Sequence, residues 1–397
     1  MRITNSYMQS QFLAAVAQMQ SNLARTQNQI SLGQRFTTPS QDPVAAGNVN
    51  GYSLALAQSQ QFDRNANVAQ NRLGLEDNAL SQFQSALQSI RDLALQANNS
   101  PMSDQDRASI AVQVQQLRDT LLSIANSQDG NGEYLFAGYA SQTQPFRLNA
   151  TGAAYAGDQG QRQLQIAVGQ TVADGDNGSI VFEQIPTGNG TFQASALAGN
   201  TGSAVIGATT VQDPSAWDGG TYGITFTSPT AYEVRDASNT LIASGTYTSG
   251  QAISFRGVQV NLTGAPAAND GFTVAASSAQ GIFTTMQNLL DALGTATGSP
   301  VGTARLNNAI GTAINNIDRA LDQASNVRAS VGARLNVIDA QSQLGGNQQL
   351  QLKSMISQLQ DLDYASALTN LNQQMTSLSA AMQSYTLTQG LSLFKYL

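Results

Sequence analysis

The sequence predicts a mixed α and β protein: an elongated α-helical coiled-coil rod of paired N- and C-terminal segments, with an inserted antiparallel β domain. Two observations carry this expectation. Apolar residues recur at alternating spacings of three and four near both ends of the 397-residue chain, which is the pattern of a heptad seam. Between those ends they alternate singly among Gly, Thr and Ser, as in short antiparallel strands. A heptad seam cannot bury itself, so the economical arrangement pairs the N-terminal helices with the C-terminal ones and leaves the β region as an insertion.

The first seam runs through Phe12, Val16, Met19, Leu23 and Ile30, with Thr26 in the remaining slot. Pro39 and Pro43 break the helix beyond it. A second seam follows at Ala69, Leu73, Glu76, Leu80, Phe83, Leu87, Ile90, Ala94 and Ala97, and Asn98-Asn99-Ser100-Pro101 ends it. Ser103 suits the N-cap of the next helix, with Asp104 and Asp106 in the first turn, where the helix dipole favours anions. That helix carries Ile110, Val114, Leu117, Leu121 and Ile124, and stops before Gly130.

Strand alternation shows at Leu164, Ile166 and Val168, at Tyr222, Ile224 and Phe226, and at Val258, Val260 and Leu262. Asp176-Asn177-Gly178 and Gly188-Asn189-Gly190 are turn signals. Helical periodicity returns near Ala279 and breaks between Gly294 and Pro300. It resumes through Leu306, Ile310, Ala313, Ile317, Ala320, Ala324, Val327, Val331, Leu335 and Ile338, a rod of about 60 Å over residues 303–342. Gly345-Gly346 is expected to interrupt it. The last seam holds Leu368, Leu371, Met375, Leu378, Met382 and Tyr385 and leads to Leu393 and Phe394. The expected division is a terminal coiled-coil assembly domain (1–43 and 355–397), a helical rod domain (44–145 and 276–354) and the β domain (146–275). A single apolar stripe returns less than it costs to order a terminal segment, so both ends are expected to fold on stacking of subunits.

Composition excludes most chemistry. The chain has no Cys and no His, which removes Cys/His zinc sites, Ser-His-Asp and Cys-His pairs, imidazole switches and disulfides. Charged residues make up 11%, against a norm of about 25%, and Gln alone is about one residue in eight. A polar but weakly charged surface repels its own copies little, which suits dense packing among neighbours. The net charge of −7 has the wrong sign for a nucleic-acid or anionic-membrane partner. Met1 to Ser10 has no apolar signal core, and no stretch reaches 18 apolar residues. By ordinary rules that means a cytoplasmic protein.

No motif gives catalysis a foothold. Asp174-Gly175-Asp176-Asn177-Gly178 fails as a calcium loop, because Ser179 and Ile185 stand where Gly and Glu are needed, and a plain turn is the better reading. Asn177-Gly178-Ser179 and Asn261-Leu262-Thr263 are glycosylation sequons by pattern only. Asp104 with Asp106, and Asp361 with Asp363, are explained as helix-start caps rather than catalytic pairs. Trp217 and Tyr222 suit a β-domain core better than a binding face. No cofactor or metal is expected.

Two stretches carry a resemblance. Ile30-Ser31-Leu32-Gly33-Gln34-Arg35-Phe36, followed by residues 39–47 (PSQDPVAAG), resembles the N-terminal signature of the bacterial flagellin superfamily. Residues 329–335 (ASVGARL), Asp361-Leu362-Asp363-Tyr364-Ala365 and the terminal heptad helix resemble its C-terminal signature. Within the superfamily, GEYLFAGYASQTQPF (132–146), the ending SYTLTQGLSLFKYL and the start MRITNSYM are similar to the hook–filament junction branch rather than to filament-forming flagellins.

The resemblance implies a structural role rather than an enzymatic one. It implies export through the flagellar type III apparatus to the cell exterior, reversing the cytoplasmic reading. It implies a ring of copies between a hook-side junction protein and the first flagellin subunits, and a cytosolic export chaperone on the C-terminal helix. The assembly interface would then comprise Phe12, Val16, Met19, Leu23, Ile30, Leu368, Leu371, Met375, Leu378, Met382, Tyr385, Leu393 and Phe394. Arg35 is either a solvated charge or an intersubunit contact.

Overall fold

The computed structural model describes residues 5–99 and 102–390. Leu393 and Phe394 therefore lie outside the described residues. The helices are α1 (Asn5–Leu32), α2 (Pro43–Ala97), α3 (Asp104–Ala125), α4 (Ile282–Leu293), α5 (Pro300–Gln360) and α6 (Tyr364–Gly390). All strand pairs are antiparallel. Helices stand at both ends of the chain, with an antiparallel β region inserted between them.

The chain forms two units, residues 1–64 with 341–397, and residues 65–340, and both α2 and α5 contribute to each. In the first unit, α1 pairs with α6. The connectors beside them pair as well. The Leu362 N–H donates to the Gly33 carbonyl at 2.9 Å and the Arg35 N–H to the Gln360 carbonyl at 2.8 Å.

In the second unit, the expected α2 seam from Ala69 to Ala97 is buried throughout, Glu76 included. It joins Ile110, Val114, Leu121 and Ile124 of α3, most of α4, and the α5 seam from Leu306 to Ile338 in one core. Ser103 caps α3 as its type and position require: its side chain accepts from the Asp106 N–H, and the Asp106 carboxylate accepts from the Ser103 N–H. Strands β1 (Phe146–Asn149), β2 (Gly152–Tyr155), β3 (Gln163–Ala167), β4 (Gln170–Ala173) and β5 (Ile185–Pro186) supply Phe146, Ile166, Val172 and Ile185 to this helical core.

A second core lies between two sheets. One has five strands in the order β10-β9-β8-β13-β6 and the other three, β11-β12-β7. Their ranges are β6 Phe192–Ala196, β7 Val205–Val211, β8 Tyr222–Ser228, β9 Ala231–Asp236, β10 Leu241–Thr246, β11 Ala252–Phe255, β12 Val258–Thr263 and β13 Gly271–Ala276. Tyr222, Ile224 and Phe226 point inward from β8, and Val258, Val260 and Leu262 from β12. Tyr222 is core, and Trp217 packs against it at 5.8 Å between ring centroids. Polar residues of α5 hold β7 and the turn between β5 and β6: Asn308 accepts from the Ile206 N–H at 2.8 Å, and buried Asn316 from the Gly188 N–H at 2.9 Å.

Three sequence expectations are corrected. Gly345-Gly346 does not interrupt α5, which runs unbroken to Gln360. Each glycine costs about 1 kcal/mol in a helix, and a 61-residue helix absorbs that. Val168 falls just past β3 and is exposed, since the turn through Gly169, with φ +74°, follows at once. Helix does not begin at Ala279: a short strand, β14 (Ala279–Gln280), pairs with β5, and α4 starts at Ile282.

Candidate assembly face

The N-terminal signature is a helix stop, a bend and a helix start. Gly33 takes φ +67°, a left-handed conformation that suits glycine after a helix end. A Cβ there would also lie 2.8 Å from the Tyr364 hydroxyl. Phe36 turns inward and is buried. Asp42 then caps α2 by accepting from the Ala45 N–H at 2.9 Å, with Pro43 at the first helical position, where its missing N–H is no loss.

Arg35 donates to Asp42 at 3.0 Å across the bend. Both side chains are substantially exposed, so the structure places Arg35 in a surface ion pair within its own chain. On the facing connector Asp363 repeats the capping device at the start of α6. It accepts from the Ala365 N–H at 3.0 Å and from the Ser366 hydroxyl at 2.7 Å. The hydrogen bonds from Ser366 hold its carboxyl below the ordinary range.

Beyond these caps the α1–α6 pair is only half closed. On α1, Val16 and Thr26 are buried and Phe12, Met19, Leu23 and Ile30 half-buried. On α6 the covered positions are Ala367, Leu371, Gln374, Leu378, Ala381 and Tyr385. Tyr385 stacks on Phe12. Leu368, Met375 and Met382 are 48%, 50% and 48% exposed. Spaced seven apart, they form one stripe along α6 beside the covered seam. Tyr7, Met8 and Leu13 are exposed on α1.

Polar residues loosen the middle of the pair. Met19, Asn22, Asn370, Gln373, Gln374 and Ser377 line a groove of about 260 Å³, and the buried Gln374 Oε1 has no hydrogen-bond partner. Of the residues expected at the interface, Phe12, Val16, Met19, Leu23, Ile30, Leu371, Leu378 and Tyr385 fall in the covered part of the pair. Leu368, Met375 and Met382 do not. Sequence reasoning missed Ala367, Gln374 and Ala381, although the spacing from Leu371, Leu378 and Tyr385 selects them.

The segment 132–146 is built into the second unit. Phe136 and Phe146 are fully buried and set edge-on to Phe182 at 5.0 and 5.4 Å. Asn126 clamps the Phe146 backbone, donating to its carbonyl at 3.0 Å and accepting its N–H at 2.9 Å. The Gly178 N–H donates to the Phe136 carbonyl at 2.8 Å. A Cβ at Gly178 would meet the Phe146 ring at 2.7 Å.

Beside this segment lies a largely buried charge network that the sequence did not announce. Arg72 reaches Asp129 at 2.7 Å, Glu133 at 3.3 Å and Asp174 at 3.4 Å. Arg162 reaches Asp174 at 2.6 Å and Glu133 at 3.2 Å. Arg334, from the C-terminal signature, reaches Asp176 at 2.7 Å. Guanidinium groups occupy the carboxylates of this cluster, so its chemistry is structural. No group of carboxylates among the described residues is arranged to hold a metal ion.

Paired terminal helices, capped connectors, a half-covered apolar stripe and a β insertion define a flagellin-like subunit. The family description "Bacterial flagellin N-terminal helical region" matches residues 3–141, and "Bacterial flagellin C-terminal helical region" matches 314–397. "Flagellar hook-associated protein 1, D2-like domain" matches 196–276, within the two-sheet region. The FlgL of Xanthomonas campestris has a solved structure with 39% sequence identity and a TM-score of 0.73, covering 77% of this chain and 99% of that one. The chain belongs to the FlgL family.

Two further relatives agree. The flagellar junction protein FlgL of Legionella pneumophila is 29% identical with a TM-score of 0.72, over 79% of this chain and 100% of that one. "Flagellar hook-associated protein 3" of Salmonella typhimurium is 27% identical over 396 residues, 100% of this chain and 99% of its own length. By contrast, the flagellar filament 41 kDa core protein of Borreliella burgdorferi matches only 38% of this chain.

Proposed function

We propose that this chain is a structural subunit of the bacterial flagellum at the junction of hook and filament, where filament assembly and motility need it. One observation carries the reading: hook-associated protein 3 aligns with the chain along its whole length, whereas the filament protein aligns over about two fifths of it. The subunit is exported through the flagellar type III apparatus, with a cytosolic chaperone on its C-terminal helix until delivery. Outside the cell, copies form a ring that binds the hook-side junction protein on one side and flagellin on the other. The chain works by binding rather than by catalysis.

The stripe of Leu368, Met375 and Met382 supports an assembly role. Covering three half-exposed side chains of this size releases roughly 3 kcal/mol per subunit. That is weak for one contact but sizeable when repeated around a closed ring. Such a face suits a subunit that must stay single during export and bind firmly once in place.

A deletion strain viewed by electron microscopy tests the function. Hooks without filaments, with unpolymerised flagellin in the medium, are the expected outcome. Filaments of normal number and length would refute the junction role.

A further inference from the structure

The charge network behind the 132–146 segment has more acid than base. Five carboxyl groups (Glu76, Asp129, Glu133, Asp174 and Asp176) meet three guanidinium groups (Arg72, Arg162 and Arg334). Arg72 and Arg162 are committed to Asp129, Glu133 and Asp174. Arg334 remains to serve two carboxyls, and it donates to both oxygens of Asp176 at 2.8 and 2.7 Å.

Glu76 is thus left beside a carboxylate without a cation of its own. It is 2% exposed, at an inward position of α2. One oxygen accepts the Asp176 backbone N–H at 3.1 Å, while the buried Oε2 has no hydrogen-bond partner. Around Asp176 the positions are filled by Arg334 and by Gln161, which donates at 2.7 Å. Two adjacent buried carboxyls facing one guanidinium cannot both ionise cheaply. Burial, and then the Asp176 charge, push the Glu76 carboxyl well above the ordinary range, and Arg334 only partly opposes them.

We propose that the buried Glu76 carboxyl keeps its proton where an ordinary glutamate has lost it, and that this proton, with Arg334 on Asp176, forms a pH-operated clamp fastening the 174–178 turn to α2 and α5. The turn also carries the Gly178 N–H that holds Phe136, so the clamp anchors the 132–146 segment. The folded chain keeps a proton that the unfolded chain releases in the normal glutamate range. The clamp therefore contributes fully in acid and is lost as pH rises through the folded-state value.

Two measurements on the full chain test this. Difference infrared spectroscopy at neutral pH should show a protonated carboxylic acid band in the wild type, abolished by Glu76→Gln. The exchange protection of the Asp176 amide, corrected for intrinsic rate, should fall by up to about tenfold for each pH unit across the range in which Glu76 is protonated only in the folded chain. In Glu76→Gln, whose amide stays neutral, protection should not change over that range. Absence of the band in the wild type would overturn the proposal even if the variant failed to fold. Equal pH dependence of protection in the two proteins would overturn it as well.

Discussion

The ring of Phe12 lies face to face on that of Tyr385, with centroids 4.1 Å apart and planes 6° from parallel. The pair joins α1 to α6 where the covered seam is otherwise aliphatic and polar. A stacked aromatic pair is worth about 1 kcal/mol beyond the area that it buries. A double-mutant cycle with Phe12→Ala and Tyr385→Ala should give a coupling of that size in denaturant unfolding of the terminal unit. Strictly additive losses would mean that the rings merely coincide.

Asp42 acts twice, as the cap of α2 and as the partner of Arg35. Asp42→Ala should cost about 1–2 kcal/mol, the usual loss of an N-cap. Arg35→Ala should cost less than about 1 kcal/mol, because an exposed ion pair contributes little. Thermal unfolding of the two variants separates the roles, and a larger loss from Arg35→Ala would reverse the assignment.

Arg72 is nearly inaccessible and answers three carboxylates. Removing its charge with Arg72→Met should cost about 3–5 kcal/mol, because the carboxylates stay behind without it. Arg235→Met, at a partly exposed pair with Glu233, should cost less than about 1 kcal/mol. Chemical denaturation gives both values, and similar losses would show that the network is solvated.

Tyr222 donates to Asp218 at 2.5 Å from within the sandwich core. Burial, then that hydrogen bond, push its phenol up to about 12; burial does the same for Tyr155, also to about 12. The folded state holds these protons longer than the unfolded one. Their contribution is therefore complete below about pH 10 and lost as pH rises through about 12. Ultraviolet titration should show late-ionising phenols, and Asp218→Asn should bring Tyr222 down. An unmoved midpoint in that variant would exclude the role of Asp218.

Much of the fold is legible because helical burial repeats along the sequence. Every α2 position from Ala69 to Ala97 in the expected seam is buried, since a single period governs 29 consecutive residues. Caps at Ser103 and Asp363 are legible for the same local reason: their side chains bind backbone within three residues. Period-two alternation marks strands but not the core that they serve, so it does not distinguish Ile166, packed on helices, from Ile224, packed between sheets.

The assembly face is less legible. On α6 two frames of alternating three and four share Leu371, Leu378 and Tyr385. Hydrophobicity favours the frame with Leu368, Met375 and Met382, whereas the fold covers the frame with Ala367, Gln374 and Ala381. The buried network stayed hidden because its members are scattered from Arg72 to Arg334. Asp174 and Asp176 look like turn residues, and nothing local indicates the arginines that reach them.

The exposed stripe on α6 is best tested in the cell. A strain lacking the native chain would be given the triple variant Leu368→Lys, Met375→Lys, Met382→Lys, with filaments counted by electron microscopy and the variant followed in the medium. Because these side chains are half exposed, the three changes together should shift unfolding by no more than about 1.5 kcal/mol. It should be exported and still leave hooks bare, with flagellin shed into the medium. Filaments of normal number and length from an exported, folded variant would show that the stripe is not the face through which the subunit joins its neighbours.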